Sequence, residues 1–312
     1  MIINKKAVIV DNYLRKAMFY KNARAGFQTF LRAVIKGKTG KVLLPAYIGW
    51  SSKEGSGVFD PVTEIGMDYV FYKMTDQLYI DAEDVKRCFK KNKIIVAVII
   101  HYFGYVDPAY EDFVSAAHSA GAVVLEDEAH SMLSDIAGGV CGRLGDASIY
   151  SLHKLLPVDK GGVLLLNSGN KALASDIQCE AGDIFPYWEY DLFTIAQKRR
   201  ENAVALAQMM QKIPDDVDIL RPVMNDGIVP QTLPIIIKNV SRDRLYEVMN
   251  LRGYGVVSLY HTMIEQITKE RFPDSHKLSR KIMNLPVHQD LGNEELRGLA
   301  DCLKISLAGL KD

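Results

Sequence analysis

The sequence predicts an α/β fold: a large domain with a mostly parallel central sheet and crossover helices, followed by a smaller α+β domain. Three observations carry this expectation. Short apolar runs alternate with helical patterns through Asn167, the order of strands joined by crossover helices. The run from Lys93 to Ile100 is rich in β-branched residues and shows no polar alternation, as befits a strand covered on both faces. Beyond residue 195 longer helical patterns surround isolated strands, an α+β order. The expected division is 1–195 for the large domain and 196–312 for the small one.

In chain order, Met1 to Tyr20 carries only a weak pattern. Asn22 is placed to cap a helix whose Phe27, Phe30, Leu31 and Val34 share one face. A strand from Lys41 runs into Pro45-Ala46-Tyr47-Ile48-Gly49-Trp50. Strand Val70 to Lys73, helix Asp81 to Lys90 and strand Lys93 to Ile100 follow, the last ending on His101. Asp107 caps a helix with Pro108 at its first position, and Gly121 ends it. Ala122 to Leu125 is a buried strand that breaks into Glu126, Asp127 and Glu128. A Gly-rich turn leads to strand Ala147 to Tyr150, which ends in Ser151-Leu152-His153-Lys154. Gly161-Gly162 then opens a third apolar run. Asp176 to Phe193 is irregular and aromatic, a substrate surface, a dimer surface or simple packing. The second half reads as helix Ala196 to Gln211, strand Thr232 to Lys238 interrupted by Pro234, a helix from Ser241 to Gly253, strand Val256 to Tyr260, strand Ile282 to His288, and a final helix from Asn293.

Composition narrows the function. The 312 residues hold 38 Lys and Arg against 38 Asp and Glu, so the net charge is zero and no nucleic-acid partner is implied. No apolar run is long enough for a membrane span. The start lacks the pattern of a secretory signal, which points to the cytoplasm. Cys88, Cys141, Cys179 and Cys302 have no CxxC spacing and read as reduced thiols. His118, His261, His276 and His288 offer no metal-site spacing.

One stretch delivers a carboxylate (Asp127), a hydroxyl (Ser151) and an amine (Lys154) from strand ends, where open α/β sheets bind ligands. That trio suits pyridoxal 5′-phosphate (PLP). A carboxylate keeps its ring nitrogen protonated, an uncharged lysine forms its Schiff base, and a hydroxyl with free N–H groups holds its phosphate.

The same residues resemble the DegT/DnrJ/StrS family of PLP-dependent aminotransferases. Its acidic element reads here Glu126-Asp127-Glu128-Ala129-His130. Its glycine element reads Gly142-Arg143-Leu144-Gly145-Asp146 and runs on to Ser151-Leu152, with Lys154 and Gly161-Gly162 after it. Lys154 follows Ser151 by three positions where the family pattern has about five, which a shorter loop explains. His101-Tyr102-Phe103-Gly104 and Leu285-Pro286-Val287-His288 also resemble family segments.

The resemblance implies a fold-type I PLP transferase that moves an amino group from an amino acid, glutamate, to a nucleotide-linked keto sugar, alternating between PLP and its amine form PMP. It implies a homodimer. It assigns Lys154 to the Schiff base, with Lys160 as the rival lysine, and Asp127 to the ring nitrogen. His130 falls to the phenolic oxygen, and Ser151, Asn22, Ala23 and Arg24 to the phosphate. The family's ring-stacking aromatic falls on Gly49, so Tyr47 or Trp50 takes that role or it is absent. Some relatives carry histidine in place of the lysine and dehydrate sugars; the lysine here favours transamination. A non-catalytic PLP-binding regulator is the reading from another class. A nicotinamide enzyme is disfavoured because no G-x-G-x-x-G follows an early strand.

Overall fold

The apolar runs become the strands of one sheet. In the computed structural model, which describes residues 15–167, 177, 185–221 and 225–311, seven strands assemble. They are β1 (Lys16–Tyr20), β2 (Lys41–Pro45), β3 (Tyr69–Tyr72), β4 (Ile94–Ile100), β5 (Val123–Asp127), β6 (Ala147–Ser151) and β7 (Gly162–Leu166), in the order β1-β7-β6-β5-β4-β2-β3. Strands β3, β2, β4, β5 and β6 are parallel, whereas β7 is antiparallel to both of its neighbours. Every residue of β4, β5, β6 and β7 is buried, which accounts for their unbroken apolar character.

Register then sets the place of the chemistry. Ile100 pairs with Asp127, and Asp127 with Ile149. Ser151 and Tyr20 both pair with Gly162. The ends of β1, β4, β5 and β6 and the start of β7 therefore share one edge of the sheet.

Helices α1 (Ala23–Val34), α2 (Phe59–Glu64), α3 (Ala82–Lys91), α4 (Tyr110–Ser119) and α5 (Met132–Ile136) connect these strands. Helix α1 buries Phe27, Phe30, Leu31 and Val34, as its periodicity requires, and Asn22 Oδ1 accepts from the Ala25 N–H at 2.9 Å. Helix α4 begins at Tyr110, not at Pro108. Asp107 is engaged elsewhere: one carboxylate oxygen accepts from the Ala109 N–H and the other from the Ile80 N–H, each at 2.9 Å, which ties a turn to the distant 75–81 loop.

The second half forms a three-stranded antiparallel sheet in the order β10-β9-β8, from β8 (Val217–Ile219), β9 (Thr232–Ile237) and β10 (Ile282–Pro286). It is accompanied by α6 (Leu192–Met210), α7 (Arg242–Leu251), α8 (Pro273–Lys281) and α9 (Asn293–Gly309). Helix α6 starts at Leu192, ahead of the expected Ala196, because Asp191 caps it through the Thr194 N–H. Leu206, Leu233, Ile235, Met283, Leu299 and Leu303 build the core around this sheet. Leu220, Ile264, Phe272 and Leu278 pack instead into the core of the large sheet.

Two strand expectations need correction. Pro234 lies inside a continuous β9: its carbonyl accepts from the Leu220 N–H, so its missing N–H faces the point where β8 ends. Val256 to Tyr260 is not a strand. Only Val257 bridges to Asn284, and the chain then turns, its backbone held by side chains instead of a ladder. Cys88, Cys141 and Cys302 are free thiols, while Cys179 lies outside the described residues. No helix among the described residues is long and apolar enough to cross a membrane.

Candidate active site

A cavity of ≈ 1100 Å³ opens at the shared strand edge. Asp127, His130, Ser151 and Lys154 line it, together with Asn22, Ala23 and Arg24. Asp127 is the last residue of β5 and Ser151 the last of β6; Lys154 closes the single helical turn that follows.

Lys154 Nζ lies 3.1 Å from His130 Nε2. His130 Nδ1 accepts from the Phe103 N–H at 3.4 Å, and the Phe103 ring stacks on the imidazole at 5.7 Å. With Nδ1 accepting, the hydrogen-bond pattern assigns the proton of the neutral ring to Nε2, which then donates to the lysine. A lysine accepts only as the uncharged amine. The electrostatics agree. Burial pushes Lys154 below the ordinary lysine range, against the opposing pull of Asp127 and Glu54. Burial, reinforced by Lys154, pushes His130 well below the histidine range. Lys154 keeps accessible surface because the cavity is open, but protein surrounds its Nζ, and it is that packing which governs its proton.

Asp127 is buried and takes one backbone hydrogen bond, from Ala129 at 2.9 Å. Burial raises its pKa, and Lys154, the Ala129 N–H and His101 only partly offset the rise. A carboxylate so placed is short of a cationic partner.

Another part of the wall is the N-terminus of α1. A Cβ on Gly162 would lie 2.2 Å from the Asn22 carbonyl carbon and 2.4 Å from the Ala23 nitrogen, so only glycine lets β7 pass this close. Gly161 donates to the Lys21 carbonyl at 3.1 Å and fixes the approach. Arg24 turns toward the loop after β2: it donates to the Glu54 carbonyl and lies 3.7 Å from Asp60 Oδ2. Ser151 Oγ is 3.4 Å from His153 Nδ1.

An amine whose pKa burial lowers, a buried carboxylate seeking a cation, and a helix N-terminus with a neighbouring hydroxyl are the donor set that a pyridine aldehyde phosphate requires. The sequence itself matches the DegT/DnrJ/EryC1/StrS aminotransferase family over residues 14–182 and 191–304. The chain belongs to this family. No curated protein sequence matches it. Among solved structures it is similar to Helicobacter pylori PseC, an aminotransferase involved in pseudoaminic acid biosynthesis. That match has a TM-score of 0.74 at 16% identity and covers 94% of this chain and 87% of that one. It is also similar to DesI, solved in the presence of its TDP-sugar product (TM-score 0.75, 20% identity, 96% of this chain and 82% of that one). The E. coli GDP-4-keto-6-deoxy-D-mannose-3-dehydratase with bound hydrated PLP aligns as well (TM-score 0.73, 15% identity, 94% and 88%). These likenesses establish the fold, the fold-type I architecture expected from the sequence.

Tyr47 stands apart from the other expected residues. It is fully buried and does not line the cavity; its hydroxyl donates to the Leu259 carbonyl at 3.0 Å and accepts from the Tyr260 N–H at 2.8 Å. Trp50 does line the cavity. Lys160, the rival lysine, also lines it, but Lys154 is the one beside His130 and Asp127. Tyr260 and Arg199 are among the lining residues that escaped sequence reasoning. Tyr260 sits in a turn that reads as a strand. Arg199 lies on α6, buried, donating to Gln289 Oε1 at 2.9 Å and to the Gln231 carbonyl at 3.1 Å. Burial lowers it to about 10, with the charge of Asp290 offsetting part of the drop, and it forms no ion pair among the described residues. Nothing in the local pattern Lys198-Arg199-Arg200 marks which of the three points inward.

Proposed function

We propose that this aminotransferase moves an amino group from an amino acid, glutamate, to a nucleotide-linked keto sugar, with PLP held in the cavity described above. The observation that carries the reading is the amine of Lys154, its pKa lowered by burial, 3.1 Å from His130 Nε2 and in the field of Asp127.

PLP supplies an aldehyde for an amine and a protonated ring that withdraws electrons from the donor's Cα–H bond. The protein's residues supply the rest. Asp127 keeps the ring nitrogen protonated by placing a buried negative charge against it. Lys154 Nζ takes the proton from the donor's Cα and, in the second half of the cycle, delivers one to the sugar carbon that becomes the amine. Positioned proton transfer of this kind is worth about 10²–10⁴-fold. His130 orients Lys154 through Nε2 and presents a neutral ring to the phenolic oxygen. The backbone at the start of α1, Asn22, Ala23 and Arg24, with Ser151, would receive the phosphate, the Asn22 and Arg24 side chains being engaged by Ala25 and by the loop after β2. Arg199 is a buried cation that forms no ion pair among the described residues and feels only the charge of Asp290; it suits the donor's carboxylate.

Lys21, Lys53 and Lys160 also line the cavity, a charge pattern that favours a diphosphate-linked sugar. The neighbours that act on TDP- and GDP-linked sugars support the nucleotide, and Lys154 favours amination over dehydration. The homodimer and cytoplasmic address belong to the same proposal. Trp188 and Phe193, 56% and 67% exposed, supply apolar surface for a second copy.

The test is to incubate protein, PLP and glutamate with a panel of nucleotide-linked keto sugars and to look for an amino sugar by mass. One amino sugar formed by the wild type and not by Lys154→Ala supports the assignment; equal formation by the variant overturns it.

A further inference from the structure

The loop after β2 lacks a side chain at Gly49, and a residue far along the chain fills the space. Gly49 bridges to Met263. The Trp50 N–H donates to the Thr262 carbonyl and the Ile264 N–H to the Ile48 carbonyl, each at 3.1 Å. These bonds fasten the loop to the turn that carries Tyr260. A Cβ on Gly49 would lie 2.1 Å from Tyr260 Cδ1 and 2.5 Å from Cγ and Cε1, far inside van der Waals contact. The Tyr260 ring therefore occupies the volume that any side chain at position 49 would need.

The backbone that carries the ring is fastened in place, and aromatic rings pack against the ring itself. Its backbone N–H donates to Tyr47 Oη, Tyr47 donates to the preceding carbonyl, and the Leu259 N–H donates to Asn284 Oδ1 at 3.0 Å. Tyr47 packs against it at 5.7 Å and His130 lies 6.3 Å away. Tyr260 lines the same cavity as Asp127 and Lys154. Burial raises its phenol, and the charge of Asp127 raises it further, so the hydroxyl stays protonated. Buried Tyr47 thus acts behind the wall and holds the ring in place.

We propose that Tyr260 forms the aromatic wall of the cofactor cavity, and that position 49 is glycine because that ring has taken its space. The inference rests on the PLP reading above. It makes position 49 and position 260 alternative sources of one ring, each excluding the other.

The experiment is a PLP titration of the wild type, Tyr260→Phe, Tyr260→Leu, Gly49→Phe, and the pair Gly49→Phe with Tyr260→Gly. The readouts are the dissociation constant and the circular dichroism of the bound cofactor, with melting temperatures recorded to confirm folding. Tyr260→Phe should bind within about twofold of wild type. Tyr260→Leu, which keeps apolar bulk but loses the aromatic face, should bind about three- to tenfold more weakly with a reduced dichroic band. Gly49→Phe alone should weaken binding, and the pair should bind more tightly than Gly49→Phe. Wild-type affinity and dichroism in Tyr260→Leu would overturn the inference, as would a pair no better than Gly49→Phe. If Tyr260→Leu does not fold, the paired variant decides. A wild type that binds no PLP would overturn the functional reading itself.

Discussion

Glu126 and Asp127 are neighbours on β5 and both are buried, yet their surroundings are opposite. Glu126 collects hydrogen bonds from the Gly142 and Gly145 N–H groups at 2.6 Å each, the Leu144 N–H at 3.2 Å, Tyr110 at 2.7 Å and His101 at 3.0 Å. Burial alone would raise its pKa, but His101, Tyr110 and Gly145 hold it below the usual range. Asp127 has the Ala129 N–H at 2.9 Å and faces the cavity, and burial leaves its pKa raised. The first carboxylate is spent on holding the Gly-rich turn. The second is costly to the fold and available to a ligand. Glu128 Oε1 is also buried without a partner, but Glu128 does not line the cavity; of the three consecutive acids, Asp127 alone combines few partners with a place in the cavity wall.

This contrast can be broken by substitution. The largest effect falls at Lys154, which shares Asp127's predicament. Lys154→Ala should reduce amino transfer by about 10³-fold or more with little change in melting temperature, since the lost contact with His130 is offset by relief from burying an amine. Steady-state rates and calorimetry check both halves. Asp127→Asn should cost about 10²-fold in rate while raising the melting temperature by about 1–3 °C near pH 7, because a destabilising charge is removed. Glu126→Gln should do the reverse. Its melting temperature should fall by about 4–8 °C, since hydrogen bonds to a buried charge contribute about 1.5–3 kcal/mol, and its rate at low temperature should stay within about tenfold. An Asp127→Asn protein that melts lower than Glu126→Gln would erase the distinction.

The smallest effect is the pH dependence. The folded pKa of Glu126 is depressed, so its contribution is present above the unfolded carboxylate value and is lost as pH falls through the folded one. The folded pKa of Asp127 is raised, so its contribution is present below 3.8 and is lost as pH rises through the folded value. Melting curves from acid to neutral pH should therefore show the deficit of Glu126→Gln and the gain of Asp127→Asn both growing as pH rises.

Much of the fold was legible because it rests on local signals. β4 and β5 announced themselves as apolar runs, Asn22 as a cap, and Ser151 and Lys154 as strand-end residues. Helix starts were less legible where a cap competes with another duty. Asp107 looks like an N-cap, but its second oxygen serves Ile80, twenty-seven positions earlier in sequence. Most of the candidate site was legible for a related reason, since its residues sit within one edge and one motif. Tyr260 and Arg199 were not, because each reaches the cavity from the second half of the chain through packing that no short pattern encodes. The empty side chain at Gly49 pointed to a missing ring without telling where it came from.

The most direct measurement of the central claim is the visible spectrum of the purified protein with added PLP, before and after glutamate. The account predicts a yellow lysine-bound form in the wild type, bleached by glutamate with release of a keto acid, and no such band in Lys154→Ala. A protein that stays colourless with PLP, or a variant lacking Lys154 that forms the same band, would contradict it.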